Sequence, residues 1–153
     1  MVVSKGSIPL QALGYYIPFI TSFINNMRKI EREMIQAIME LKGKPSSHWN
    51  NNSGWSKANT LVRRGRNDVT DPSSEVYLHG NHIATYFDDG RLYINNQGWK
   101  TVTTKSRLNA LIKHVLGDMS GIYQKNFNWF MKQVDNATGM YDEYEINDGW
   151  YLV

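Results

Sequence analysis

Threonine and basic side chains cluster between Trp99 and Asn109, directly before a predicted helix. The first turn of a helix presents backbone N–H groups without intrahelical partners and the positive end of the helix dipole, and both attract anions. A phosphate group could accept hydrogen bonds from these N–H groups, from a threonine hydroxyl and from an arginine fork, while Trp99 stacks on a base. The residues predicted to bind a phosphate-bearing ligand are Trp99, Lys100, Thr101, Thr103, Thr104, Lys105, Arg107 and Asn109.

The same cluster has a purely structural interpretation. Threonine is a favoured helix cap, so capping alone accounts for the three threonines. Arg107 and Asn109 would then fix the turn around Gly98. Under the ligand-binding interpretation, alanine at the two lysines and at Arg107 abolishes anion binding and leaves the fold intact, because none of them lies on the predicted apolar stripe of the helix.

A second candidate site is the basic segment from residue 42 to residue 67, which contains six Lys or Arg residues and no acidic residue. Such charge asymmetry is a mild indication of an anionic partner, and two tryptophans in the segment could stack on bases. The predicted nucleic-acid patch consists of Trp49, Trp55, Lys57, Arg63, Arg64 and Arg66. The alternative is a solvated loop whose tryptophans anchor it on the core.

Other chemistries have less support in the sequence. His79 and His82 flank a predicted turn, but two histidines without a clear third ligand are a weak metal signal, and no metal site is predicted. The chain has no cysteine, which excludes disulfides and cysteine-based zinc or redox sites. Neither a Gly-x-Ser-x-Gly elbow nor a glycine-rich phosphate loop occurs. The sequence therefore gives no positive support for an enzyme, and neither a catalytic residue nor a cofactor is predicted.

A predicted three-stranded antiparallel meander and the helix after it position these side chains. Gly80-Asn81 suits a two-residue type II′ turn, and Asp89-Gly90 suits the second turn of the meander. The strands are predicted over residues 75–79, 82–87 and 91–95. The helix is predicted from about Lys105 to Leu116, with Thr103 or Thr104 as its cap and one apolar face on the meander. That face consists of Leu108, Leu111, Ile112 and Val115.

Shorter elements complete a predicted α+β fold of antiparallel hairpins packed with one helix. A short strand is predicted over residues 59–64, and a hairpin is predicted over residues 121–131 around Lys125-Asn126. Two β-prone pieces follow at residues 140–144 and 150–153, of which the second could pair as an edge strand.

A long amphipathic helix is predicted over residues 18–41. Its stripe covers the sheet of its own domain or forms the seam of a homo-oligomer. The stripe follows three heptads through Ile20, Phe23, Met27, Ile30, Met34, Ala37 and Leu41. We expect residues 1–45, a lead-in plus this helix, and the α+β domain at residues 46–153 to form one compact unit. No signal-peptide pattern and no sufficiently long apolar run occur, so no membrane partner is expected.

The segment from residue 78 to residue 109 resembles a family of small uncharacterised proteins of tailed bacteriophages. These proteins share a Leu-His-Gly-like strand, an Asp-Gly turn and a Gly-aromatic-x-Thr-Val-Thr-Thr run that leads into a basic residue and Arg-x-Asn. The matching residues are Leu78, His79, Gly80, Ile83, Ala84, Asp89, Gly90, Gly98, Trp99, Thr101, Thr103, Thr104, Arg107 and Asn109. The resemblance extends from about Asn59 to the C-terminus, with Gln97 in place of the first glycine of the usual pair. It implies a phage origin and a fold, and carries no established activity.

Three functions are compatible with these features. The first is a non-enzymatic phage protein that binds nucleic acid or another phosphate-bearing ligand in the cytoplasm of the infected bacterial host, with salt-sensitive affinity. The second is a host-interaction or anti-defence protein that binds a host protein or sequesters a small nucleotide. The third is a minor virion component.

Overall fold

The computed structural model describes residues 27–45, 54–65 and 70–153. These residues form two helices and nine strands in two antiparallel sheets, which confirms the predicted α+β class. The helices are α1 (Lys29–Leu41) and α2 (Val102–Leu116). The strands are β1 (Trp55–Lys57), β2 (Thr60–Arg64), β3 (Ser73–Leu78), β4 (Asn81–Phe87), β5 (Leu92–Ile94), β6 (Gly121–Lys125), β7 (Asn128–Val134), β8 (Tyr141–Ile146) and β9 (Tyr151–Leu152).

The larger sheet is built on the predicted meander. Strands β3, β4 and β5 pair in sequence, and β2 and β1 extend the sheet on one side. On the other side β9, from the end of the chain, pairs with β5, so that Ile94 lies opposite Tyr151. The expected edge-strand pairing near the C-terminus is therefore confirmed.

The first turn of the meander differs from the prediction by one residue. Leu78 and Asn81 are paired across the turn, so its central residues are His79 and Gly80, with φ of 51° and 79°. Positive φ at both central positions is the type I′ geometry, not the expected type II′ with glycine first.

A β-bulge in β4 shapes the inner face of the meander. Val76 lies opposite Ala84 and Tyr77 lies opposite His82, so Ile83 is the extra residue. The bulge turns both Ile83 and Ala84 into the core, where neither is more than 1% exposed. A regular strand would bury only one of two consecutive side chains.

The smaller sheet contains β6, β7 and β8 in that order. Its first hairpin was predicted, but the central turn residues are Asn126 and Phe127, one residue later than expected, because Lys125 pairs with Asn128. Trp129 and Met131 of β7 point inward and join the same buried cluster as Val76 and Leu92 of the larger sheet. The two sheets therefore share one hydrophobic core.

The apolar stripe of helix α1 is buried inside the fold. Met34, Ala37, Ile38 and Leu41 are buried, and the helix contacts β1, β2 and α2. In the described residues, the stripe that could have formed an oligomer seam therefore packs into the hydrophobic core of its own chain. The predicted helical residues 18–26 lie outside the described residues.

Helix α2 begins one turn before the predicted start. Thr101, not Thr103 or Thr104, is the cap, and Gly117 ends the helix as expected. Leu108, Leu111 and Ile112 are buried as predicted. No helix among the described residues is long and apolar enough to cross a membrane.

Candidate functional site

A cavity of about 530 Å³ lies between the β3–β4 turn and the start of α2. Leu78 and Ile83 supply buried apolar side chains to its lining, and Trp99 supplies an aromatic wall that is 57% exposed. The full lining consists of Leu78, His79, Asn81, Ile83, Trp99, Thr101, Thr103 and Thr104. The cavity thus collects four of the eight residues predicted to bind a phosphate-bearing ligand.

The threonines divide into two roles. The Thr101 hydroxyl accepts a hydrogen bond from the Thr104 backbone N–H at 3.1 Å, and the two hydroxyls are 3.0 Å apart. Thr104 is buried, so these two side chains serve mainly as the helix cap. Thr103 is half-buried and has no such role in the cap. Its hydroxyl and the backbone N–H groups of Val102 and Thr103 are polar groups that the corner offers to a ligand, since the Thr104 and Lys105 N–H groups already donate to Thr101.

The loop that carries Trp99 is held by asparagine side chains that the sequence analysis did not single out. The Asn95 and Asn96 amide oxygens accept hydrogen bonds from the Gln97 and Gly98 N–H groups, each at 2.8 Å. The Gln97 amide donates to the His82 carbonyl at 2.8 Å. An Asn-Asn-Gln-Gly run is typical of side-chain-stabilised turns, and this signal could have identified these residues.

The two candidate lysines are available for an anion. Lys100 is exposed and Lys105 is half-buried. Neither ammonium has a carboxylate within 4.0 Å in the described ranges. Both flank the first turn of α2, where the positive end of the helix dipole adds to their charge.

Arg107 does not belong to the ligand set. Its side chain is buried, its Nη1 lies 3.2 Å from Glu31 Oε2 of α1, and its Nε donates to the Thr60 hydroxyl at 3.1 Å. The Ser106 hydroxyl donates to the same Glu31 oxygen. The guanidinium is enclosed and already paired, so it does not offer the expected phosphate contact, and its replacement is expected to destabilise the fold instead of leaving it intact.

Asn109 is also structural. Its amide nitrogen donates to the Ile122 carbonyl at 3.0 Å, and its amide oxygen accepts from the Ile122 N–H at 2.6 Å. This pair of bonds joins α2 to β6. Neither Asn109 nor Arg107 fixes the Gly98 turn, as the structural interpretation had proposed.

The predicted nucleic-acid patch is largely neutralised by carboxylates. Lys57 contacts Glu33 at 3.1 Å, and Arg63 lies 3.8 Å from Glu75. Such pairing lowers the charge that this side of the sheet can offer to phosphate groups. Trp55 packs against the core, as the solvated-loop alternative expected of the tryptophans. Trp49 and Arg66 lie outside the described residues.

Arg64 is the most enclosed member of that patch. Its side chain is fully buried and donates to both carboxylate oxygens of Asp88, at 2.9 and 2.8 Å. Burial alone would raise the pKa of Asp88, but hydrogen bonds from Arg64 and from the Gly43 N–H hold it below its ordinary value. Arg64 is therefore a structural residue and not a nucleic-acid contact.

The two histidines of the weak metal hypothesis have different surroundings. His79 lies in the turn and lines the cavity. His82 stacks on Tyr77, hydrogen-bonds Thr85 at 2.9 Å and meets the edge of Trp150, and burial lowers its pKa. No group of three His, Asp or Glu residues suited to a metal ion occurs in the part of the chain that the structure describes.

The family model described as Kyanoviridae Gp96 protein matches residues 27–150. This match covers most of the chain, so the protein belongs to that bacteriophage family. No curated protein shows significant similarity to the chain. No solved structure shows significant similarity to it either.

Proposed function

We propose, on the premise that this is a bacteriophage protein of the Gp96 family, that it is a non-enzymatic binding protein for a phosphate-bearing ligand of nucleotide size. The ligand would lie in the cavity between the β3–β4 turn and the start of α2. The protein would act in the cytoplasm of the infected host.

The observation that carries this proposal is the pairing of an aromatic-walled cavity with a helix start and two unpaired lysines. A base can stack on Trp99 above the apolar side chains of Leu78 and Ile83. A phosphate can then accept hydrogen bonds from the first turn of α2 and from Lys100 or Lys105. A nucleotide combines an aromatic base with an anionic phosphate, joined by a sugar, so one such ligand could use both features.

The distribution of ion pairs favours a short ligand over a nucleic-acid strand. The described basic residues of the β1–β2 hairpin already contact carboxylates, so they add little to phosphate binding. Lys100 and Lys105, which flank the first turn of α2, form no ion pair in the described ranges, and two such cations limit the number of phosphate contacts. A nucleotide bound without turnover would be withdrawn from the host, and this is the anti-defence form of the proposal.

The test is isothermal titration calorimetry with ribonucleoside mono- and triphosphates, inorganic phosphate and a short single-stranded DNA. We expect Lys100→Ala and Lys105→Ala each to weaken nucleotide binding about tenfold, because a charge-assisted hydrogen bond contributes about 1.5 kcal/mol. Trp99→Ala should weaken the binding of nucleotides but not the binding of inorganic phosphate. Lys44→Ala is the matched control, because Lys44 is exposed and lies just after α1, whereas the cavity lies at the start of α2.

Two results would overturn the proposal. One is the absence of heat for every phosphate compound at low salt. The other is nucleotide binding that is equal in the wild type and in the Lys100→Ala and Lys105→Ala variants. Tighter binding of the DNA strand than of any nucleotide, with a steep salt dependence, would replace the nucleotide by single-stranded nucleic acid.

A further inference from the structure

The tip of the β6–β7 hairpin carries a side chain that the fold itself does not use. Phe127 is 88% exposed and adopts a φ of 66° as the second central residue of a type I′ turn. Glycine is the usual residue there, because a bulky side chain with positive φ is strained. Phe127 thus strains the backbone of the turn, although its side chain is not buried within its own chain. Strain of this kind is commonly retained for a contact outside the local structure.

The opposite end of the smaller sheet presents a groove of about 430 Å³. Its apolar lining comes from Leu116, Val134, Met140 and Tyr141, and its carboxylates come from Asp135 and Asp142. The loop that forms it is ordered by backbone hydrogen bonds from the Asp135 N–H to the Met140 carbonyl at 2.8 Å and from the Gly139 N–H to the Asp135 carbonyl at 2.7 Å. The groove is therefore preformed.

One cation borders the groove, because Lys132 Nζ lies 4.3 Å from the centroid of the Tyr141 ring, but it forms no ion pair with the groove carboxylates. Met140 and Tyr141 are both more than half exposed. Within the described ranges no Lys, Arg or His nitrogen lies within 4.0 Å of the Asp135 or Asp142 carboxylates. An apolar site with two unpaired carboxylates suits an apolar side chain accompanied by one cation.

The hairpin tip has that chemistry. Lys125 precedes the turn, is exposed, and has no carboxylate within 4.0 Å among the residues described, while the other tip residues, Gln124, Asn126 and Asn128, are uncharged. Phe127 supplies a single aromatic side chain to fill the groove. Tip and groove thus pair an exposed apolar side chain with an apolar lining and a cation with two carboxylates.

The two features cannot meet within one chain. Strand β7 separates them, and its seven residues span about 20 Å. We propose that copies of this chain associate head to tail, with Phe127 and Lys125 of one copy inserted in the Met140–Asp142 groove of the next. Such a contact is heterologous, so it leaves a free tip and a free groove at the two ends and can extend into a ring or a filament.

The experiment is sedimentation velocity from micromolar to millimolar protein, with wild type, Phe127→Gly and Met140→Arg. We expect wild type to grow in mass with concentration and both variants to remain monomeric. Phe127→Gly relieves the turn strain and should melt at a higher temperature than wild type, so its loss of assembly cannot be attributed to unfolding. Val102→Arg, a substitution at another highly exposed apolar residue, is the control that should assemble like wild type.

Mixing the two variants tests the head-to-tail geometry. The Met140→Arg copy keeps an intact tip and the Phe127→Gly copy keeps an intact groove, so an equimolar mixture should form a dimer and stop there. The proposal is overturned by monomeric wild type at every concentration, by assembly that survives Phe127→Gly, or by a mixture that stays monomeric. If the wild type stays monomeric, the proposal is wrong even if the hairpin tip binds a different protein.

Discussion

At the residue scale, the buried ion pair between Arg107 and Glu31 decides what the start of α2 can do. Both side chains are almost fully enclosed, and Thr60 and Ser106 add hydrogen bonds to the pair. A buried charge needs its partner, because water no longer solvates it. Arg107 therefore fastens α2 to α1 and β2, and its guanidinium is not available to a phosphate group.

Removal of this arginine should damage the fold. We expect Arg107→Ala to lower the free energy of unfolding by about 3–5 kcal/mol, because it leaves the Glu31 carboxylate buried without a counter-charge. Urea denaturation followed by circular dichroism measures the change. Lys105→Ala, two positions earlier on the same helix, is the comparison and should stay within about 0.5 kcal/mol of wild type. An Arg107→Ala variant as stable as the Lys105→Ala variant would contradict the structural role.

The sequence could indicate the threonine corner but not the fate of its arginine. Helix periodicity places Arg107 beside the apolar stripe, and the burial of a charge at such a position depends on what faces it. The facing group is Glu31, far away in the chain, and no local pattern reveals that pairing. The pairing of the basic patch was unpredictable for the same reason, since Lys57 pairs with Glu33 and Arg64 with Asp88, both distant in the chain.

At the element scale, the meander was predictable because its strands alternate regularly and its turns contain glycine. The one-residue error at the first turn has a specific cause. His79 adopts positive φ, which glycine adopts far more readily than any other residue, so the sequence favours Gly80 as the first central residue of the turn. The bulge at Ile83 was equally hidden, since an apolar pair is compatible with a regular strand.

The Asp88 carboxylate forms a clamp that holds three elements together at the end of β4 opposite the β3–β4 turn. Asp88, in the turn after β4, accepts hydrogen bonds from Arg64 of β2 and from the Gly43 N–H just after α1. The Arg64 side chain also donates to the Ser74 hydroxyl of β3 at 2.9 Å. One aspartate thus fixes the position of the C-terminal end of α1 over the sheet.

This clamp should make stability depend on pH. The pKa of Asp88 in the folded protein is below its ordinary value of 3.8, so folding favours the ionised form. The contribution is complete above that ordinary value and is lost as the pH falls through the lowered pKa of the folded state. We expect Asp88→Asn to lose about 2 kcal/mol at neutral pH, because hydrogen bonds to a charged group are replaced by weaker ones.

Urea unfolding of wild type and Asp88→Asn over a pH series measures this effect. The difference between the two proteins should shrink at acidic pH, as the wild-type carboxylate also becomes protonated. Asp118→Asn, at an exposed aspartate without an ion pair in the described ranges, is the matched control. A difference that is constant from neutral to acidic pH would exclude the clamp as its source.

At the scale of the whole molecule, both sheets and both helices contribute to one buried cluster. Met34 of α1, Leu111 of α2 and Trp129 of β7 all belong to it. The described part of the N-terminal segment is thus within the same core as the α+β region. The division between residues 45 and 46 that the sequence suggested stays a prediction.

A shared core predicts a single unfolding transition. We expect the calorimetric and van't Hoff enthalpies of thermal unfolding to agree, because neither sheet can lose its inner face without exposing the other. Differential scanning calorimetry provides both values. Near-ultraviolet circular dichroism, to which the buried Trp129 contributes with the other ordered aromatic side chains, should follow the same curve as the far-ultraviolet signal. Two separate transitions would show that the smaller sheet is an independent unit.

The pairing of β9 with β5 bears on how the chain folds during its synthesis. Tyr151 lies opposite Ile94, and the Val153 N–H donates to the Leu92 carbonyl at 2.9 Å. Until Tyr151 and Leu152 have emerged from the ribosome, the β5 border of the larger sheet has no hydrogen-bonding neighbour. A nascent chain with such an open border is prone to mispairing with other nascent chains. A chain truncated just before Tyr151 should therefore yield an aggregating product, because β5 then has a free edge.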